Sequence, residues 1–172
     1  MRGYFGIGSE GLSKAHNLGV ILRTGHAFGA SFAFTIGSEL DAARVRQTDT
    51  SGSATHLPYY RWPDFDAGRF PDGCVLVGVE LTEDAVDLPS FRHPLNAAYI
   101  LGPEKGSLSP AVQAACAHMV KIPTAFCVNV GLAAAITLYD RSVLFGGHAP
   151  RPLVQPPRKG SRKRKTGLGR NG

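Results

Sequence analysis

Apolar positions along the chain fall into short runs whose period switches between that of a strand and that of a helix. Arg2–Gly8 reads as a strand. Asn17–Phe28 reads as a helix with Leu18, Ile21 and Leu22 directed to a core. Ser31–Ile36 is a strand in which Phe32 and Phe34 alternate, and Leu40–Arg46 is a short helix. Val75–Leu81 and Ala97–Leu101 are apolar strands, bounded by the turns Asp72-Gly73 and Gly102-Pro103. Pro110–Ala117 forms a helix with proline in its first turn, where a missing N–H costs nothing. Met119–Ile122 is a strand stopped by Pro123, and Asn129–Phe145 is a long apolar helix. This alternation predicts an α/β fold, a mostly parallel sheet with helices on both faces.

Charge divides the chain. Eight of its 19 Lys and Arg residues, and none of its 13 Asp and Glu residues, lie in 150–172. The remainder carries eleven basic against thirteen acidic residues, so the net charge of +6 belongs to the tail. Residues 1–149 are expected to form one domain. Residues 150–172, rich in Pro, Gly, Lys and Arg, are expected to form a disordered basic arm suited to a polyanion. The alternative reading is a solvated tail that only aids solubility. The start Met1-Arg2-Gly3-Tyr4-Phe5 has no secretory character, and no apolar run reaches the roughly 18 residues of a membrane span. A cytoplasmic setting without membrane contact is expected. Cys74, Cys116 and Cys127 are odd in number and unpaired by spacing, and the histidines form no ligand motif, so no metal is read.

Four segments carry candidate chemistry. Gly6-Ile7-Gly8-Ser9-Glu10-Gly11 matches GxGxxG, but no acidic residue follows at the distance a ribose partner requires. The segment reads instead as a flexible strand-to-helix loop. In His16-Asn17-Leu18-Gly19-Val20-Ile21-Leu22-Arg23, Asn17 reads as the helix N-cap. Gly19, Arg23 and His26 share a helical face, and an approaching phosphate would suit the guanidinium. Ile100-Leu101-Gly102-Pro103-Glu104-Lys105-Gly106 is a strand running into a glycine loop, placed where parallel sheets bind ligands. There Glu104 either orients a substrate or faces water. In Ile122-Pro123-Thr124-Ala125-Phe126-Cys127-Val128-Asn129-Val130-Gly131, Asn129 can cap the last helix, which Gly131 and Ala133 to Ala135 keep thin. The aromatic stretch Tyr59, Tyr60 and Trp62 either closes the edge of a core or stacks on bases beside Arg61.

In order and spacing, the last three segments resemble the signature motifs of the SpoU (TrmH-like) branch of the SPOUT RNA methyltransferases, across about residues 14–145. The opening Met-Arg-Gly-Tyr-Phe-Gly-Ile-Gly and the ending Leu-Tyr-Asp-Arg are similar to a compact subgroup. The resemblance implies a C-terminal deep trefoil knot, a homodimer, and S-adenosyl-L-methionine as cofactor. It implies methyl transfer to a ribose 2′-hydroxyl of RNA, tRNA rather more than rRNA. Gly102, Ile122 and Val128 would contact the cofactor, with Val79 and Glu80 lining the same pocket. Arg23, Asn17, Glu104 and Asn129 would form the catalytic set. Arginine deprotonates too reluctantly to be an easy base, so Arg23 is read as a phosphate clamp and electrostatic stabiliser. The family's third motif carries two serines where Cys127 and Gly131 stand. Loss of those hydroxyls leaves a second reading, a non-catalytic RNA-binding protein that kept the fold.

Overall fold

The computed structural model describes residues 3–40 and 56–149. Seven strands form one sheet: β1 (Phe5–Glu10), β2 (Phe32–Ile36), β3 (Tyr59–Trp62), β4 (Val75–Val79), β5 (Val86–Asp87), β6 (Ala97–Leu101) and β7 (His118–Lys121). Their spatial order is β3-β2-β1-β6-β4-β7-β5, with every pair parallel. Helices α1 (Ala15–Phe28) and α3 (Val130–Phe145) pack together on one face, over Ile7, Val77, Tyr99 and Val120. Helix α2 (Pro110–Ala115) sends Val112 into the opposite layer, beside Phe34, Leu76 and Ile100. The expected α/β architecture, with helices on both faces, is therefore present. The short helix expected over Leu40–Arg46 lies, apart from buried Leu40, outside the described residues, as does the basic arm.

Two local expectations need correction. The GxGxxG segment is not a flexible loop, because β1 runs on to Glu10. A Cβ at Gly6 would strike the Phe32 ring, and one at Gly8 would strike the backbone and ring of Phe34. These glycines make room for the aromatic side chains of β2. Helix α1 begins before Asn17. Lys14 is its N-cap residue, and Asn17 lies within the first turn, 2% exposed. Gly19 is buried, whereas Arg23, one turn further on, and His26 are exposed.

The last helix is fastened by a buried arginine. Arg141, 4% exposed, donates from Nη1 to Pro94 O (2.5 Å) and Tyr99 Oη (3.1 Å), and from Nη2 to Leu95 O (2.6 Å). Its guanidinium lies 4.8 Å from the ring centres of Phe5 and Phe145. The neighbouring Asp140 meets His93 Nε2 at 3.0 Å, and His93 Nδ1 meets Tyr99 Oη at 2.7 Å. Burial pushes the Tyr99 phenol up to about 12 against the opposing pull of Arg141. Phe5 and Arg141 thus bring the opening and the ending motif into contact.

Candidate active site

The strand ends at the carboxyl edge of β4, β6 and β7 open into loops that wall one cavity of about 430 Å³. Val79, Glu80 and Leu81 come from the end of β4, and Leu101 to Glu104 with Gly106 from the end of β6. Ile122, Thr124 and Cys127 to Asn129 come from the segment after β7, with Val130 and Ala133 from α3 and Lys14 from just before α1. A cavity of this size at the C-terminal edge of a parallel sheet is where such folds hold small molecules. All five residues expected to touch a cofactor, Val79, Glu80, Gly102, Ile122 and Val128, line it. A Cβ at Gly102 would fall onto the Glu80 carboxylate and oblige that side chain to shift.

Three polar residues of the expected catalytic set are joined directly. Asn17 Nδ2 donates to Glu104 Oε1 at 2.9 Å, and Asn129 Nδ2 donates to Asn17 Oδ1 at 3.1 Å. Asn129 Oδ1 accepts from Gly131 N at 2.9 Å, so Asn129 does cap α3. Glu104 also accepts from Ser13 N (2.9 Å), Ser13 Oγ (2.9 Å) and Lys14 N (3.1 Å). A carboxylate at the amino end of α1 also meets the favourable end of the helix dipole. Burial alone would raise the Glu104 carboxyl. The bonds from the Ser13 backbone, the Asn17 and Ser13 side chains and the Lys14 backbone outweigh it and hold the pKa below its ordinary value. With two donors on each oxygen, the half-buried Glu104 offers no free lone pair to a substrate proton. It fixes the start of α1 against the second-motif loop. Asn17 therefore does not cap α1; a carboxylate about ninety positions away in sequence binds the Ser13 and Lys14 amides just before the helix.

Two further carboxylates hold the same loop. Glu80 Oε2 accepts from Leu108 N at 3.1 Å, and Glu10 Oε2 accepts from Ser109 N at 2.7 Å. Glu10 was not expected at the site. Its only signal in the sequence was a charge at the end of an apolar strand. Lys121 Nζ donates to Thr82 O (3.2 Å) and Glu83 O (3.0 Å), steadying the loop that carries Leu81.

Arg23 stands apart from this group. It is exposed on α1 and is not among the residues lining the cavity. Six residues beyond Asn17, it lies about 9 Å further along the helix and roughly 120° around it. The fourth expected catalytic residue is therefore not brought to the cavity within one chain. The Tyr60 and Trp62 rings stack at 6.1 Å, and Trp62 packs on Phe34 and Phe70, closing the edge of the second core layer. Among the described residues, no three His, Cys, Asp or Glu side chains are grouped to hold a metal ion, and no helix is long and apolar enough to cross a membrane.

Residues 5–139 match the model of the SpoU rRNA methylase family. A tRNA (guanosine(18)-2′-O)-methyltransferase of Thermus thermophilus is 32% identical over 156 residues, covering 86% of this chain and 79% of that protein. The SpoU methyltransferase AviRb from Streptomyces viridochromogenes, solved with AdoMet, superposes with a TM-score of 0.71 at 27% identity, over 81% of this chain. The chain spans 57% of the length of AviRb. A TrmH/SpoU tRNA modifying enzyme of A. aeolicus shares the fold, with a TM-score of 0.71 at 20% identity over 81% of this chain and 74% of that one. The family match runs through every loop that walls the cavity, and the chain belongs to the SpoU rRNA methylase family.

Proposed function

We propose that this protein transfers a methyl group from S-adenosyl-L-methionine to a ribose 2′-hydroxyl of RNA, with tRNA as the substrate class. The observation that carries the reading is the convergence of Asn17, Glu104 and Asn129, one from each motif, beside a single cavity. The tRNA assignment leans on the Thermus thermophilus relative, which spans most of this chain.

The cavity residues fit the cofactor. Val79, Leu101, Ile122, Val128 and Ala133 offer an apolar wall for a flat heterocycle, and the space left by the missing Cβ of Gly102 is bounded by the Glu80 carboxylate. When bound, the sulfonium supplies an activated methyl group, so the protein needs no further electrophilic assistance. The work left to the chain is alignment. Glu104 holds Asn17, Asn17 holds Asn129, and the exposed Asn129 stands at the cavity rim where a ribose hydroxyl would enter. Glu104 acts as a positioning residue, since its acceptor sites are filled.

We infer a homodimer in which the partner subunit's Arg23 completes each site as a phosphate clamp. Support comes from α3, whose exposed Leu132, Ile136, Tyr139 and Val143 recur at spacings of four and three and form one apolar stripe. We further infer the trefoil knot of the family. Its support is family membership and the packing of residues 122–130 beside the second-motif loop around one cavity. A cytoplasmic setting and RNA contact by residues 150–172 belong to the same proposal.

The reading without catalysis draws on the missing hydroxyls, but Gly131 has a packing reason. A Cβ there would lie 2.7 Å from Val20 Cγ1, so glycine is what lets α1 and α3 approach. The deciding experiment incubates the protein with methyl-labelled cofactor and separate tRNA and rRNA pools. Label in an alkali-resistant dinucleotide from tRNA is the expected result. Cofactor binding without label in any RNA would overturn the proposal.

A further inference from the structure

Among the described residues, the cavity carries three charged side chains, Lys14, Glu80 and Glu104. The Glu104 oxygens are taken by Ser13, the Lys14 amide and Asn17, and Glu80 accepts from Leu108 N. Neither carboxylate is paired with an ammonium, and Lys14 makes no ion pair with a described residue. Lys14 is nonetheless held firmly at its backbone. Its N–H donates to Glu104, and its carbonyl accepts from Asn17 N (3.0 Å) and Leu18 N (3.3 Å). The other neighbour of Glu104 in sequence, Lys105, is exposed between two residues that line the cavity. Glu104 therefore ties together two loops, about ninety positions apart, that each carry an exposed lysine: Lys14, which lines the cavity, and Lys105, which lies between the lining residues Glu104 and Gly106.

The chemistry of the substrate says what they meet. A ribose 2′-hydroxyl sits next to a 3′-oxygen that bears a phosphate. Whenever that hydroxyl reaches the cavity, a phosphate must come to its rim. Two uncompensated carboxylates would repel it, whereas an ammonium is an effective point-charge partner. We propose that Lys14 and Lys105 together hold the phosphate 3′ to the target ribose at the cavity mouth. The inference rests on the RNA reading above and deepens it. It is independent of where Arg23 acts.

The test uses the full chain with Lys14→Gln, Lys105→Gln, the double variant and Lys14→Arg. Methyl transfer is measured against RNA concentration, RNA binding against salt, and cofactor binding by calorimetry without RNA. Each glutamine is expected to raise KM for RNA about fivefold, and the pair to lower the slope of log K against log salt by about one. Cofactor affinity should stay within about twofold, and Lys14→Arg should restore most of the RNA affinity, as an arginine also binds phosphate. An unchanged KM and salt slope in the double variant would overturn the inference. So would weakened cofactor binding with RNA binding intact, which would assign the ammonium to the cofactor's carboxylate. A wild-type protein that binds cofactor but methylates no RNA would remove the functional reading first, and this inference with it.

Discussion

Asn129 donates to Asn17 across 3.1 Å, a bond between the first turn of one helix and the cap of another, 112 residues later. Asn17→Ala removes both that acceptor and a donor to Glu104. The expected cost is about 1 kcal/mol in stability, since two part-buried hydrogen bonds are lost. Methyl transfer should fall about a hundredfold through loss of alignment. Denaturant unfolding and single-turnover rates check the two effects separately.

Glu104 makes stability depend on pH in a definite direction. Its carboxyl has a lower pKa folded than its ordinary value of 4.5, so the unfolded chain binds the proton more tightly. The stabilisation is complete above 4.5 and is lost as pH falls through the lowered pKa. Glu104→Gln should lower Tm at pH 7, and the gap from wild type should close on acidification. A gap that stays constant with pH would remove the carboxylate's charge from the account.

His93 acts near neutrality. Burial holds its imidazole below the ordinary 6.5, against the hydrogen bond and charge of Asp140 and with the help of Arg141. The unfolded state again takes up the proton first, so stability should decline as pH drops below 6.5. His93→Gln should flatten the dependence of Tm on pH between about 5 and 7.

Arg141→Met would leave the Pro94 and Leu95 carbonyls and the Tyr99 hydroxyl without their donor. A loss of about 3 kcal/mol or more is expected in equilibrium unfolding. Arg141→Lys should recover only part of it, because a single ammonium cannot reproduce the planar fork.

Gly131→Ser would restore a family hydroxyl, yet its Cβ meets Val20 first. We expect destabilisation of about 1–3 kcal/mol without gain in methyl transfer. The double variant with Val20→Ala should regain stability if the helix contact is the cause.

The layering of the fold was legible because the apolar runs at Val75, Ala97 and Met119 are short, and those in α1 and α3 are periodic. Asn129 was legible as a cap because the acceptor it supplies is two residues from the amide it serves. Asn17 misled for the converse reason. It has the chemistry of a cap, but its side chain is taken by Glu104 and Asn129 through tertiary contact, and the helix begins earlier, at Ala15. The glycines at 6 and 8 misled likewise. Their role is to accommodate Phe32 and Phe34, and which strand lies beside β1 cannot be read from spacing. Strand β5 escaped notice because two residues carry no period.

The walls of the cavity differ in how they are tied. Residues 102–109 hang from carboxylates on Glu10 and Glu80 and are pinned through Glu104 to α1. Between Pro123 and Val128 the bonds given by Thr124 stay within the segment, reaching Ile122 O and Phe126 O, and Phe126 is 78% exposed. Traffic of small molecules should therefore pass on the side of Phe126, with the opposite wall acting as a fixed jamb. Deuterium uptake would show the asymmetry as early labelling there and slow labelling at Leu108 and Ser109.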